Sequence, residues 1–194
     1  MLKTVFLALT TLLIAIGGGA GSLYLFIKSA PPIGAVESGS WIAFPDLGTP
    51  HADPYSRARF AREGGIPLGR SEGIVFTASK DSAGRILNRQ CTYQVEGAMP
   101  PAQHWILHLT DLAGASLPSF GRKPAALSSE TVLRRRDSGL TISISPHPKP
   151  DNWIPSTGQG AMQVVLTLLD TPVSAGFGIT GLTLPAIKQV SCDA

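Results

Sequence analysis

The stretch Met162-Gln163-Val164-Val165-Leu166-Thr167-Leu168-Leu169 decides the fold class of this chain. It is a nearly continuous apolar run, and turn residues bound it: Gly158-Gln159-Gly160 before it and Thr171-Pro172 after it. A short apolar run between turn signals is typical of a strand that is buried on both faces. The sequence therefore predicts a central strand at 162–169.

Other segments of the chain alternate apolar and polar residues with a period of two, which indicates strands with one buried face. The apolar faces consist of Ile74 and Phe76; Cys91, Tyr93 and Val95; Trp105, Leu107 and Leu109; and Leu140, Ile142 and Ile144. Many short strands separated by Gly, Pro and Asp turns favour an all-β, antiparallel β-sandwich or jelly-roll-like domain.

One or two short helices accompany the strands. Asp53 can cap a helix whose first residue is Pro54, and the helix continues over Tyr55–Glu63. Gly64-Gly65 supplies its stop. The stretch Glu130–Arg135, which follows two serines, allows a second short helix.

The N-terminal segment Val5–Ile27 carries no charge and lies between Lys3 and Lys28. About 20 apolar residues are enough to cross a bilayer core as a helix. Lys3, the apolar run and Gly18-Gly19-Ala20 also fit a cleaved secretory signal. Because apolar residues resume after the glycines, we favour an uncleaved transmembrane helix and keep the cleaved signal as the alternative.

These features predict three regions: a transmembrane anchor or signal at 1–28, a tether at 29–40 and the folded domain at 41–194. The expected location is the inner cell membrane, with a single span and the C-terminal domain in the periplasm or exterior. If the segment is a signal, the domain is secreted after cleavage.

The charge of the folded domain argues against nucleic acid as a partner. Lys3 and Lys28 flank the anchor, and the remaining 14 basic residues nearly balance 13 acidic ones. Binding to a phosphate backbone requires a basic stripe. The one local cluster, Arg134-Arg135-Arg136, is followed by Asp137. We interpret it as a solvated face or turn, or alternatively as a contact with anionic lipid or lipopolysaccharide.

The chain has two cysteines, Cys91 and Cys192, which are too few for a cysteine-based metal site. Two cysteines in one exported domain favour a disulfide, with two buried thiols as the alternative. The bond would close a loop of about 100 residues.

Several motifs resemble those of the family known as domain of unknown function 1214, in a compact, membrane-anchored branch. The motifs are Asp53–Ala58, Gly73–Ala78, Cys91–Tyr93, Asn152-Trp153-Ile154-Pro155, the run 162–169 and Thr171-Pro172. The resemblance implies an all-β, sandwich-like domain, and it implies no established activity.

Within these motifs, Asn152, Trp153 and Pro155 form a candidate ligand-binding loop in which Trp153 offers a stacking face. The alternative is structural: Trp153 closes the end of the sandwich and Asn152 bonds to the backbone of a turn. We favour the structural interpretation.

Four further residues are candidates for ligand binding. Arg57 and Arg59 lie on the predicted helix at 55–63 and could hold an anion, although we favour the alternative that they pair with Glu63 or Asp53. His104 and His108 share one strand face, about 13 Å apart by strand rise, which is too far to bind one metal ion. We therefore predict neither a metal site nor a cofactor.

The sequence contains no Gly-x-Ser-x-Gly elbow, His-Glu-x-x-His motif or phosphate-binding glycine loop. The leading hypothesis is an envelope protein whose exported domain binds or scaffolds a protein, a glycan or a lipid. The competing hypothesis is an envelope hydrolase that acts on a glycan or lipid through scattered carboxylates or one of the two strand histidines.

Overall fold

The computed structural model describes residues 2–29, 34–63, 67–134, 140–175 and 182–192. The chain divides into two compact units, Met1–Ile33 and Gly34–Ala194. The first unit contains the helix α1, Leu2–Ser29. Its stretch Lys3–Ser22 has a mean hydropathy of 1.8 and none of it is buried in protein. A helix of this length and composition can serve as a membrane anchor or as a signal sequence.

The second unit is mostly β and contains two sheets, which confirms the predicted fold class. The strands are β1 (Val36–Ser38), β2 (Trp41–Ala43), β3 (Gly73–Ala78), β4 (Cys91–Glu96), β5 (His104–Thr110), β6 (Ala126–Ser128), β7 (Thr141–Ser145), β8 (Trp153–Pro155), β9 (Gln163–Leu169) and β10 (Ala186–Cys192). The helices are α2 (Pro54–Glu63) and a 3₁₀ turn at Pro172–Ala175. Strand β1 lies inside the stretch 29–40 that the sequence predicts as a tether.

The first sheet has the strand order β1-β2-β3-β9-β5-β6, and all its pairs are antiparallel. Strand β9 lies between β3 and β5, so the prediction of a central strand at 162–169 is confirmed. On β9, Leu166 faces Phe76 on one side and Leu107 on the other, and all three side chains are buried. At the end of the ladder Gly73 opposes Leu169, where an added Cβ would clash with the β9 backbone.

The second sheet has the order β10-β4-β7-β8. Strands β7 and β8 are parallel, with Ser143 opposite Trp153, whereas every other described strand pair is antiparallel. The sequence predicts a loop at 152–155, and this expectation is wrong because Trp153–Pro155 pairs with β7. The connection at 146–151 returns the chain to the start of β7, and β8 therefore runs in the same direction as β7.

One hydrophobic core joins the two sheets. Phe76 and Leu166 from the first sheet and Tyr93, Ile144 and Ile154 from the second belong to a single buried cluster. Two sheets that share a core in this way form a β-sandwich. The alternating faces predicted for β3, β4, β5 and β7 all point into this cluster.

Helix α2 begins as the sequence predicts. The Asp53 carboxylate accepts a hydrogen bond from the Ser56 amide at 3.2 Å, which satisfies one of the free donors of the first turn. Phe60 of α2 contacts Phe44 edge-on, with ring centroids 6.3 Å apart. The predicted stop at Gly64-Gly65 lies outside the described residues.

Cys91 and Cys192 form a disulfide between the edge strand β10 and its neighbour β4, which confirms the predicted pair. The two residues are register partners, with Cα atoms 4.0 Å apart. The bond fixes the last described residues of the chain to the sandwich.

We expect the double substitution Cys91→Ala/Cys192→Ala to lower the free energy of unfolding by about 4–5 kcal/mol, because it releases a loop of about 100 residues in the unfolded state. Urea denaturation of the full-length protein in neutral detergent measures the change. Wild-type protein treated with a reductant is the matched control and should reproduce the loss. An unchanged unfolding midpoint in both samples would contradict the expectation.

Candidate functional site

A cleft of about 360 Å³ opens to solvent where the β4–β5 connection meets the segment that follows β6. Its lining is Ala98, Met99, Pro100, Pro101, Ala102, Gln103, Trp105, Ser129, Val132, Arg134 and Leu140. We call residues 98–103 the first wall and residues 129–134 the second wall. The cleft has the size of a small ligand site.

The first wall is anchored to the end of the central strand β9. The Thr171 hydroxyl donates a hydrogen bond to the Pro101 carbonyl at 2.6 Å, and Thr171 is itself buried. The Gln103 amide donates to the Asp170 carbonyl at 3.2 Å, one residue beyond the β5–β9 ladder. Both anchoring residues directly follow β9, so the ladder register sets the position of this wall.

The second wall begins with a turn, so the helix predicted at Glu130–Arg135 is wrong over its described part. The amides of Thr131 and Val132 both donate to the Ser128 carbonyl at 3.1 Å. The Ser128 and Thr131 hydroxyls also lie 3.1 Å apart and bond to each other. Local bonds of this kind compete with helix formation. The Ser129 amide donates to the Trp105 carbonyl at 2.9 Å and ties the turn to β5.

Asn152 holds the second wall from the side of the second sheet. Its Oδ1 accepts a hydrogen bond from the Leu133 amide at 2.7 Å, and its Nδ2 donates to the Leu133 carbonyl at 2.8 Å. Nδ2 also donates to the Thr141 carbonyl at 3.3 Å. Because Leu133 lies between Val132 and Arg134, this one amide fixes the backbone that presents both lining residues.

Trp153 and Pro155 make structural contacts and do not line the cleft. The Trp153 indole donates to the Ser145 carbonyl at 3.0 Å, and its ring meets Phe120 edge-on at 5.6 Å between centroids. Trp153 is 9% exposed and Pro155 is buried in β8. Neither residue offers an open stacking face to a ligand. Both make the packing contacts expected of residues that close the end of the sandwich.

The lining of the cleft presents polar and apolar surface in similar amounts. Met99, Trp105 and Val132 supply carbon surface, whereas Gln103 and Arg134 are exposed. No salt bridge joins Arg134 to a carboxylate of the described residues. The polar side-chain groups in the lining are therefore the Gln103 amide, the Ser129 hydroxyl, the Arg134 guanidinium and the Trp105 indole N–H.

The two strand histidines lie on the outer face of β5 and are not part of the cleft. His104 is exposed, and its Nδ1 lies 3.5 Å from the Glu130 carboxylate. His108 is half-buried opposite Val165 of β9 and Ala126 of β6, and this burial lowers its pKa. In the part of the chain that the structure describes, no three His, Cys, Asp or Glu residues are arranged to hold a metal ion.

The two arginines predicted as anion ligands lie on α2, outside the cleft lining. The Arg57 guanidinium donates to the Pro50 carbonyl at 3.3 Å and lies 3.5 Å from the Thr49 carbonyl. It therefore holds the loop before α2. The side chain of Arg59 lies outside the described residues.

Comparison with known proteins shows which family this chain belongs to. The family described as "Protein of unknown function (DUF1214)" matches residues 72–173, which include both cleft walls and the whole of β9. The chain belongs to the DUF1214 family. The resemblance given by the Asn152–Pro155 and Thr171-Pro172 motifs is thus confirmed for the family.

Two solved structures are similar to this DUF1214 chain. The VPA0106 protein from Vibrio parahaemolyticus matches with a TM-score of 0.58 and 17% identity, over 73% of this chain and 36% of that one. A putative uncharacterized protein from Burkholderia cenocepacia matches with a TM-score of 0.39 and 17% identity, over 76% of this chain and 45% of that one. The first similarity shows the fold alone, and this chain spans less than half of either protein. No curated protein matches the chain.

Sequence reasoning missed the cleft and its lining residues. Met99, Gln103 and Val132 are ordinary loop residues without a spacing that indicates chemistry. The available signal was indirect: Asn152 and Thr171 belong to motifs that resemble the family's, and each anchors one wall of the DUF1214 cleft.

We expect Asn152→Asp to lower the free energy of unfolding by about 1–3 kcal/mol, because the isosteric carboxylate keeps one bond but cannot donate to the Leu133 and Thr141 carbonyls. Urea denaturation at neutral pH measures this loss. Asn88→Asp is the matched control, since the Asn88 side chain only accepts a bond from the exposed Gln90 amide. Equal effects of the two substitutions would show that the Asn152 amide does not hold the wall.

We expect His108 to make the fold acid-sensitive. Its folded-state pKa lies below the unfolded value, so the stability that depends on neutral His108 is complete above about pH 6.5 and is lost as the pH falls through the folded pKa. In His108→Gln the decline in unfolding free energy between about pH 7.5 and 5 should be smaller than in wild type. His51→Gln, at an exposed histidine, is the control and should leave the decline unchanged. An identical decline in His108→Gln and wild type would refute this role.

Proposed function

We propose that this DUF1214 chain is a single-pass envelope protein whose exported β-sandwich binds a ligand in the cleft between the first and second walls. The observation that carries the proposal is that Asn152 and Thr171 each bond to the backbone of one wall. A site whose walls are fixed by hydrogen bonds from rigid elements is preorganised for binding. The function is therefore assigned to the cleft and not to the buried Trp153 face.

The chemistry of the lining favours binding over catalysis. Gln103, Ser129 and Arg134 can orient a ligand through hydrogen bonds and charge. The Ser129 hydroxyl accepts a bond from the Trp105 amide at 3.4 Å and lies on a turn, which suits a positioning group. General acid–base chemistry calls on histidine or carboxylate groups near the substrate. Among the described residues these groups lie outside the lining.

The proposed location rests on two features that point the same way. Helix α1 has the length and hydropathy of a membrane anchor, although a signal sequence has the same properties. The Cys91–Cys192 disulfide is typical of a domain that folds in an oxidising compartment. Together they support an inner-membrane anchor with the sandwich on the periplasmic or outer side.

The test is site-specific photo-crosslinking in intact cells. A photoreactive amino acid replaces Gln103 at the rim of the cleft, and the matched control carries it at Ala113, an exposed turn residue outside the cleft. We expect discrete adducts from position 103 and none from position 113. Mass spectrometry then assigns each adduct to a protein, a glycan or a lipid.

Two results would contradict the proposal. The first is adduct formation that is equal at positions 103 and 113, since it would indicate contact without a site. The second is recovery of the full-length protein in the soluble cytosolic fraction with reduced cysteines.

A further inference from the structure

The loop between β8 and β9, residues 156–161, lies at the opposite end of β9 from the anchor of the first wall. Gly158 and Gly160 have φ angles of 84° and 91°, a left-handed backbone that favours glycine. The backbone N–H groups of residues 157–160 donate to no acceptor in the described part of the chain. The loop therefore leaves four neighbouring donors available to a ligand.

Arg89 is held against this loop by its backbone and by its side chain. Its amide donates to the Gly160 carbonyl at 2.9 Å, and its carbonyl accepts a hydrogen bond from the Ser156 hydroxyl at 2.8 Å. Its Nε donates to the Ala161 carbonyl at 3.3 Å. A Cβ on Gly158 would lie 3.2 Å from a terminal nitrogen of Arg89, so the guanidinium lies directly beside the loop backbone.

The charge of the Arg89 guanidinium is not paired within the described residues. Its two terminal nitrogens donate no hydrogen bond there, and it belongs to none of their ion pairs. Arg89 is half-buried, whereas Arg70, which is exposed, pairs with Asp46. A positioned guanidinium whose two terminal nitrogens are open is suited to bidentate binding of an oxyanion.

Two further cations lie on a segment that is bonded to the loop. The Thr157 hydroxyl donates to the Pro118 carbonyl at 2.6 Å. Shortly after Pro118 the chain makes a tight turn, in which the Phe120 amide donates to the Lys123 carbonyl at 2.9 Å and the Lys123 amide donates back at 3.0 Å. This turn presents Arg122 and Lys123, which are exposed and form no ion pair with a described carboxylate.

The charge of these segments favours a phosphate group over a carboxylate. Residues 88–91, 118–124 and 156–161 contain three basic residues and no acidic residue. A phosphomonoester carries a charge of about −1.5 to −2 at neutral pH and has three acceptor oxygens, whereas a carboxylate carries one charge and two oxygens. Successive backbone N–H groups in a turn can form a concave anion site. Because the loop leads into a strand, no helix terminus contributes.

We propose that Arg89 and the backbone amides of residues 157–160 bind the phosphate group of a phosphomonoester, and that Arg122 and Lys123 add a weaker attraction. This site is separate from the cleft, and it does not depend on the function proposed for the cleft. A phosphatidic acid head group in a bilayer and a soluble phosphate ester are two sources of the same chemistry.

Amide NMR titration of the full-length protein in nanodiscs of neutral phosphatidylcholine tests this inference. Inorganic phosphate is the first probe, and chloride at equal ionic strength is its control. We expect phosphate to cause saturable shifts of the Gly158 and Gly160 amides and of the Arg89 Nε–H. Gly114 should not shift, since its turn has a similar φ of 86° but its amide already donates to the Asp111 carbonyl.

A second nanodisc sample distinguishes the two sources. It contains phosphatidic acid in the bilayer and no free phosphate. Shifts of the same resonances in this sample would assign the source to a bilayer lipid. Shifts with inorganic phosphate but not with phosphatidic acid would assign it to a soluble phosphate ester.

Two matched pairs of variants make the test specific. Arg89→Gln should weaken phosphate binding about tenfold or more, as loss of a charge-assisted hydrogen bond predicts, whereas Arg70→Gln should bind as wild type does. Gly158→Ala should weaken it about fivefold, because the added Cβ displaces the guanidinium. Gly114→Ala carries the same backbone cost in open space and should bind as wild type does.

The rim cations have a smaller expected effect. The double substitution Arg122→Gln/Lys123→Gln should weaken phosphate binding about twofold to fivefold, which is the range of exposed ion pairs.

Three results would overturn the proposal. The first is the absence of saturable shifts with both phosphate and phosphatidic acid, and the second is an equal response to chloride. The third is wild-type affinity in a folded Arg89→Gln variant. If the amide spectrum shows that Arg89→Gln does not fold, Gly158→Ala and Gly114→Ala decide: equal affinities would overturn the site, and a selective loss in Gly158→Ala would support it.

Discussion

The two hydrogen bonds between the Asn152 amide and the backbone of Leu133, at 2.7 and 2.8 Å, are the interaction on which the candidate site depends. At this part-buried position each bond contributes about 0.5–1.5 kcal/mol to stability, as an ordinary hydrogen bond does. Leu133 belongs to no strand, and the side chain of Asn152 takes the place of a neighbouring strand. The same side chain also bonds to Thr141 at the start of β7, so it joins the second sheet to the wall of the cleft.

The opposite wall depends on the register of the first sheet. Pairing of Leu169 with both Gly73 and His104 ends the ladder at a defined residue of β9. Asp170 and Thr171 follow at once and bond to the β4–β5 connection. The cleft thus lies between one wall set by the first sheet and one set by the second. A shift of register in β9 would move one wall relative to the other.

The sequence predicted the elements that bury an alternating face, because the hydrophobic period reports burial directly. Strand β5 is an example, with Trp105, Leu107 and Leu109 in the core and His104 at the surface. Strand β8 was missed because all three of its residues are buried and no alternation remains to be read. The helix predicted after β6 was wrong because the hydroxyls of Ser128 and Thr131 bond locally.

The candidate site was beyond sequence reasoning for a different reason. Its lining comes from segments separated by up to about 40 residues, and tertiary contacts alone bring these segments together. The assignment of Asn152 to ligand binding stays a prediction. In the structure Asn152 does not line the cleft, and it acts on the cleft by holding the second wall. Asn152 and Thr171, which belong to motifs that resemble those of DUF1214, anchor the two walls.

Native mass spectrometry of the full-length protein, extracted from its own membrane with a neutral detergent, shows whether the cleft holds a ligand. We expect wild type to carry a bound small molecule and Ala102→Trp, which fills the cleft, to carry none, whereas Ala113→Trp, on an exposed turn outside the lining, should behave as wild type. A wild-type protein that retains no such molecule, or an Ala102→Trp variant that retains it equally, would show that the cleft is not a binding site.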